Sequence, residues 1–229
     1  MSIPFYSKHS KHYVAVDCII FGFDQEKINI LLHKRKFEPY SGGWSLFGGF
    51  LNENENLNDA AGRILLTLTG FSGIYLEQLF TYGDVERDKE RVISVAYFAL
   101  INTEHYSSLE GGDYDAAWIP MGDLPDLVLD HKVMVNKALR RLRRKAASEP
   151  IGFELLPEKF TLPRLQKLYE AIYGEDFDKR NFRKKILSMG LLKKLDEKDK
   201  SGSKKGAFLF MFDKKKYDEL LSEGLGFEL

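Results

Sequence analysis

Apolar positions recur along this chain with two different periods. The runs "YVAVDCIIFGF", "KINILLHK", "IYLEQLFTYG" and "RVISVAYFALI" alternate or are wholly apolar, are rich in Val, Ile, Tyr and Phe, and are bounded by turn residues. They predict four strands. Between the second and third, from about Leu57 to Thr69, the spacing becomes helical: Ala60, Ala61, Ile64, Leu65 and Leu68 share one stripe, with Asn56 placed as N-cap and Gly70 as the stop. A second helix is predicted from about Asp130 to Ala147. Its stripe is Val135, Leu139, Leu142 and Ala146, and Arg140, Arg141, Arg143, Arg144 and Lys145 surround it. Pro150 and Gly152 break that pattern, which divides the chain into residues 1–149 and 150–229.

The second part has a different rhythm. "FTLPRLQKLYEAIYG" predicts an amphipathic helix capped by Thr161, with Pro163 in its first turn, and "DKRNFRKKILSMG" a second helix ending at Gly190. In that second helix Phe182, Ile186 and Leu187 are expected to face the core. The arms "LLKKL" and "AFLFMF" then flank the polar tip "DEKDKSGSKKG", a hairpin signature. Helix, turn, basic helix and two-stranded flap is the order of a winged helix-turn-helix.

Charge sharpens this division. The net charge is zero, yet residues 178–205 hold eleven Lys/Arg against four acids, a local +7 that points to a polyanionic partner. No apolar run approaches the roughly 20 residues a membrane span requires, and "MSIPFYSKHSKHYVAVD" lacks the order of a signal peptide. A cytoplasmic protein with no membrane contact is expected. The single Cys18 sits in a strand-like run and reads as a small buried hydrophobe. The five histidines are scattered without metal-ligand spacing, so no metal and no cofactor is expected.

"GGFLNENENLNDAAGRILLTLTGF", from Gly48 to Phe71, resembles the Nudix box, G-x5-E-x7-R-E-U-x-E-E-x-G-U with U a bulky aliphatic residue. Gly49, Glu55, Arg63 and Gly70 fill their places without a gap, although Phe47 stands where members usually carry proline. The three later glutamates of the pattern, which hold divalent metal in catalytic members, are Ile64, Thr67 and Leu68 here. Neither Ile nor Leu offers an oxygen ligand to a hard cation. Glu55 with Arg63 reads best as a structural ion pair tying the loop to the helix, and catalysis by the usual route is not expected. "LEQLFTYGDVERDKERVISVAYFALI" together with the winged-helix segment also looks like the Nudix-related transcriptional regulators of bacteria. That resemblance implies an α+β chain: a Nudix-type α/β/α sandwich with a mixed sheet, followed by a winged helix-turn-helix. It also implies a homodimeric repressor that binds a palindromic double-stranded operator and responds to a small molecule. Members sense either ADP-ribose-type nucleotides or pentoses, and overall likeness favours the arabinose branch, hence release by L-arabinose.

The DNA-reading residues expected are Lys179, Arg180, Asn181, Arg183 and Lys184 on the basic helix, and Lys198, Lys200, Lys204 and Lys205 on the wing, around Ser201, Gly202 and Ser203. For the effector, polar groups around a flat apolar wall are wanted. Candidates are Asp17, Lys34, Arg35, Trp44, Phe47, Asp84, Asp88 and Arg91. Two other functions stay open: an atypical hydrolase of ADP-ribose or a related diphosphate, using Glu53, Glu55 or Asp59 as relocated metal ligands, and an RNA-binding module.

Overall fold

The computed structural model describes residues 6–103, 115–151, 155–201, 205–224 and 226–227. Lys204, Gly202, Ser203, Gly152 and His105 lie outside the described residues. The first half contains β1 (Val14–Phe23), β2 (Ile28–Lys34), β3 (Trp44–Ser45), β4 (Phe47–Phe50), α1 (Leu57–Thr69), β5 (Glu77–Tyr82), β6 (Ile93–Asn102), β7 (Asp115–Pro120) and α2 (His131–Ser148). Its sheet runs β3-β2-β1-β6-β5, with β4 also paired to β1 and β7 to β2. β1 and β6 are parallel over the whole register from Val14↔Ile93 to Phe23↔Asn102, and the other pairings are antiparallel. The sheet is therefore mixed.

Both faces of this sheet are covered, which explains why β1 reads as a continuous apolar run. Val16, Cys18 and Ile20 pack with Ala60, Ala61, Ile64 and Leu65 of α1, while Ile19, Phe21 and Phe23 belong to the cluster containing Met134, Ala138 and Leu142 of α2. That second cluster continues into the winged helix. Leu165, Leu168, Tyr169 and Ile172 of α3 (Leu162–Tyr173) are buried with the residues of α2. The rest of the second half is β8 (Phe160–Thr161), α4 (Lys179–Ser188), β9 (Leu192–Asp199), β10 (Ala207–Phe212) and α5 (Lys214–Ser222), with β8, β10 and β9 forming a three-stranded sheet. The fold is a Nudix α/β/α sandwich followed by a winged helix. Sequence periodicity did not reveal β3, β4, β7, β8 or α5. One core assignment is also corrected: Phe182 and Ile186 are buried, but Leu187 is 38% exposed because it lies a residue past the buried face of α4.

Local chemistry fixes α1 at four points. The Asn56 side chain accepts from the Asp59 N–H at 3.0 Å, capping the first turn, and Gly70 ends the helix at φ 76°, a left-handed conformation that glycine adopts without strain. Arg63 then ties the helix to the loop before it. Its Nε donates to Glu55 Oε2 at 2.8 Å and its Nη2 to Glu55 Oε1 at 2.6 Å and to the Phe50 carbonyl at 2.9 Å. Ile64 supplies the fourth point. It is 2% exposed, and a methyl group placed on Gly49 would sit 3.2 Å from its Cγ1. The side chain thus fills the space between helix and glycine loop.

Two outcomes follow from this anchoring. Ile64→Glu restores the glutamate of the box pattern but buries a carboxylate without a partner, so the melting temperature is expected to fall by at least about 6 °C in thermal denaturation. An unchanged melting temperature with gain of magnesium-dependent turnover contradicts the packing role. The Arg63 hydrogen bonds, with the Asn52 N–H, hold the Glu55 carboxyl down at about 2. Because that pKa is lowered in the folded chain, the stabilisation from the pair is present above the ordinary carboxylate range and is lost as pH falls through about 2. In Arg63→Gln the Glu55 midpoint, read by NMR titration, is expected to return towards 4.5; a midpoint still near 2 contradicts the assigned cause.

Candidate effector cleft and nucleic-acid interface

The box cannot present a metal cage as it stands. Both Glu55 oxygens are occupied, Oε1 by Arg63 and by the Asn52 N–H at 2.7 Å, and Oε2 by Arg63. Asp59 accepts from the Asn56 side chain at 2.6 Å at the start of α1. Thr67 is exposed, Leu68 is half-buried against the core, and among the described residues no cluster of His, Cys, Asp and Glu suits a metal ion.

The other face of the sheet carries the polar chemistry. Asp17 projects from β1 among apolar neighbours and is 8% exposed, and its Oδ2 accepts from the Ser94 hydroxyl on β6 at 2.5 Å. Gly48 lies opposite in β4, where an added Cβ would come 2.2 Å from Asp17 Oδ1, so only glycine admits the carboxylate there. Asp17 Oδ1 faces His131 Nε2 at 3.8 Å. His131 Nδ1 accepts from the Leu46 N–H at 3.2 Å, which leaves the ring proton on Nε2, towards Asp17. Burial pushes the His131 pKa below its ordinary value against the pull of Asp17 and Asp130.

Beside this group lies an ion pair that sequence reading missed. Arg87, from the segment joining β5 to β6, donates from Nε to Asp130 Oδ2 at 2.9 Å and from Nη2 to Asp130 Oδ1 at 2.8 Å. Its side chain is 4% exposed. Burial alone would pull the guanidinium down, but Asp130 outweighs it, with Asp17 and Asp88 adding to the effect, and its pKa lies above the ordinary value. These partners are tens of residues apart in sequence, so no local spacing revealed them.

The sequence-predicted effector residues are only partly brought together. The Lys34 ammonium sits 5.3 Å from the centre of the Trp44 ring, at the β2–β3 pairing. Arg35 lies over Phe37 at 4.3 Å and donates to the Pro39 carbonyl at 3.1 Å, shaping the 35–43 loop. Asp88 accepts from the Glu90 N–H at 2.7 Å, and Arg91 donates to the Gly83 carbonyl at 3.0 Å, so both build the segment that carries Arg87. Asp84 is exposed on the same segment. Phe47 departs from expectation: it is fully buried on the α1 face, with its ring 4.8 Å from that of His33, and its burial leaves it no surface to offer a guest.

In the winged helix, Asp178 caps α4 by accepting from the Asn181 N–H at 2.8 Å. Phe182 and Ile186 bury one face, which leaves Lys179, Arg180, Asn181, Arg183 and Lys184 exposed together with Lys185. Among the described residues no ion pair engages these cations. Lys193 and Lys159 differ, since they pair with Asp213 at 2.9 Å and Glu197 at 2.7 Å. On the wing Lys198, Lys200 and Lys205 are exposed, and the ammonium groups of Lys194 and Lys198 flank the Phe208 ring at 3.7 and 4.5 Å. Unpaired charge on one exposed helix beside a lysine-bearing hairpin is the electrostatic footprint of phosphate contact.

Residues 11–138 match the NUDIX domain family, and residues 152–212 match the NrtR DNA-binding winged helix domain. The chain is 34% identical over 210 residues to the ADPR responsive transcriptional repressor NtrR of Acinetobacter baylyi, covering 90% of this chain and 84% of that protein. NrtR of Shewanella oneidensis complexed with a 27mer DNA superposes with a TM-score of 0.76 at 29% identity over 93% of this chain and 97% of that one. The NUDIX domain of the same protein, complexed with ADP ribose, matches with a TM-score of 0.53 at 30% identity over 62% of this chain and 99% of that one. The ADP-ribose pyrophosphatase of Methanocaldococcus jannaschii is 34% identical over 132 residues, which cover 56% of this chain and 73% of that protein. With both domains matched in order and one relative matched over most of its length, the chain belongs to the NrtR family of Nudix-related transcriptional regulators.

Proposed function

We propose that the chain is a homodimeric repressor in which residues 1–149 hold an ADP-ribose-class nucleotide without cleaving it, and residues 150–229 bind a palindromic duplex operator that the nucleotide releases. One observation carries the proposal: a box whose metal positions are Ile64, Thr67 and Leu68 stands in the same chain as the exposed cations of α4, which no ion pair among the described residues engages. The first is unsuited to cutting a diphosphate and the second is suited to holding DNA.

ADP-ribose replaces the L-arabinose expected from overall likeness. The Acinetobacter baylyi relative is named for its response to ADPR, and the Shewanella oneidensis NUDIX domain is complexed with ADP ribose. Site chemistry favours the same choice. The Lys34 ammonium beside the Trp44 ring suits a diphosphate and a base, whereas a neutral pentose gains little from a cation. Pairing two readers about 34 Å apart is the physical reason for a dimer. A second reading, an ADP-ribose hydrolase, draws on the Methanocaldococcus jannaschii relative. The occupied oxygens of Glu55 argue against it.

A mobility-shift titration on duplex DNA from upstream of the chain's own coding region tests partner, ligand and direction together. ADP-ribose is expected to weaken DNA binding by about tenfold or more, and L-arabinose to leave it unchanged. With about four phosphates neutralised per subunit, the log–log salt slope of the dimer is expected near about −7, and Arg183→Ala should flatten it by about two. Release by the pentose alone, no response to either ligand, or an unchanged slope in the variant contradicts the proposal.

A further inference from the structure

We infer that the joint between the β5–β6 segment and the start of α2, built from Arg87, Asp130 and His131, is the two-state element that couples the effector cleft to the winged helix. This inference rests on the function proposed above and names the positioning residues behind it.

Local energetics at this joint are unusual. Asp130 occupies the N-cap of α2, where an aspartate ordinarily accepts from the first-turn N–H groups, yet it makes no such bond. Its carboxylate is committed to Arg87 instead, through two bonds of 2.8 and 2.9 Å. Leu129, immediately before it, is held at φ 52°, a left-handed backbone that a leucine rarely adopts. Two departures from relaxed structure at one point are a mark of a constrained functional element. They also define an alternative arrangement, in which Asp130 lets go of Arg87 and caps its own helix. Tyr82 adds a third sign: its buried hydroxyl has no hydrogen-bond partner among the described residues and lies within the electrostatic reach of Asp130.

The joint touches both ends of the device. On the cleft side, Arg87 shares its segment with Asp84, Asp88 and Arg91. His131 grips the Leu46 N–H, two residues from Trp44, and the Trp44 carbonyl accepts from the Val128 N–H at 3.0 Å. On the other side α2 is a rod. Arg143, about 18 Å along the helix from His131 at 1.5 Å per residue, donates from Nε to the Ile172 carbonyl of α3 at 2.9 Å, and the Tyr173 hydroxyl donates to the Arg143 carbonyl at 3.2 Å. On either side of Arg143, Arg141 and Lys145 bind Glu77 of β5 at 2.8 and 2.5 Å, which braces this end of the rod against the sheet. A diphosphate entering the cleft competes with Asp130 for the Arg87 guanidinium. Winning it frees Asp130 to cap α2, re-angles the rod and moves α3 with the reader it supports.

Asp130→Asn tests this directly, because asparagine keeps the shape and a good N-cap while losing the charge that holds Arg87. The variant leaves the buried Arg87 guanidinium without its carboxylate, so it is expected to melt below wild type, and its affinities are read at a temperature where it remains folded. It should bind ADP-ribose more tightly in calorimetry by about threefold or more and bind DNA more weakly, with ADP-ribose then changing DNA affinity by less than about threefold, against about tenfold or more in wild type. Opposite shifts for the two ligands are something a merely structural ion pair does not produce. Arg87→Lys, which keeps one contact, should fall between the two. Tyr173→Phe, which removes only the hydroxyl at the far end, should leave ADP-ribose affinity intact and reduce release; it decides the matter if Asp130→Asn melts early. A wild-type response to ADP-ribose that Asp130→Asn reproduces in full, or loss of both affinities together in a stable variant, overturns the joint alone. A wild-type protein whose DNA affinity ignores ADP-ribose overturns the joint and the proposed function together.

Discussion

The packing of Ile64 into the space over Gly49 is the constraint on which the rest of this molecule depends. A catalytic box at this place needs an oxygen ligand projecting between helix and glycine loop, and a branched aliphatic side chain that is 2% exposed occupies that space instead. Burying such a side chain stabilises the fold by about 1.5–3 kcal/mol, whereas an ionised carboxylate in the same dry environment requires a cation or another partner. The helix has thereby become a structural support of the β1–β4 region. Its cap at Asn56, its stop at Gly70 and the Arg63–Glu55 tie all serve to hold the loop in place. Polar chemistry is concentrated on the opposite face, where Asp17, Ser94, His131, Arg87 and Asp130 meet.

That division of faces puts α2 in a special position. Its apolar stripe belongs to the core of the sensor sheet and to the core behind α3, so the two halves are held by one continuous hydrophobic cluster. A helix so placed transmits displacement well, because close-packed interiors yield by shifting between discrete arrangements rather than by deforming smoothly. The basic side chains of α2 take part in this arrangement. Lys145 and Arg141 bind Glu77, and Lys137 lies over the Phe80 ring at 2.9 Å.

Much of the architecture was legible in the sequence because it is written in local signals. The caps Asn56 and Thr161, the stop at Gly70 and the strand runs of β1, β2, β5 and β6 each announce themselves within a few residues. Strands β3 and β4 did not, since two residues of one and the glycine pair of the other carry no periodicity, and β8 is equally short. Leu187 was assigned to the core because its neighbour Ile186 is there, but the helix turns it outward. The candidate site was least legible. Asp17 was singled out by its place in an apolar run, whereas Arg87, Ser94, Asp130 and His131 acquire their meaning only when β1, β6 and α2 converge. Phe47 shows the converse: an aromatic beside the box looked like a cleft wall and is a core residue on the other face.

The claim that matters most is that the cleft retains a nucleotide intact. Phosphorus NMR of ADP-ribose incubated with the wild-type protein in magnesium and then manganese measures it without any variant. Diphosphate resonances that shift or broaden on binding and persist for hours are the predicted result; their conversion into the monophosphate signals of AMP and ribose 5-phosphate would contradict it.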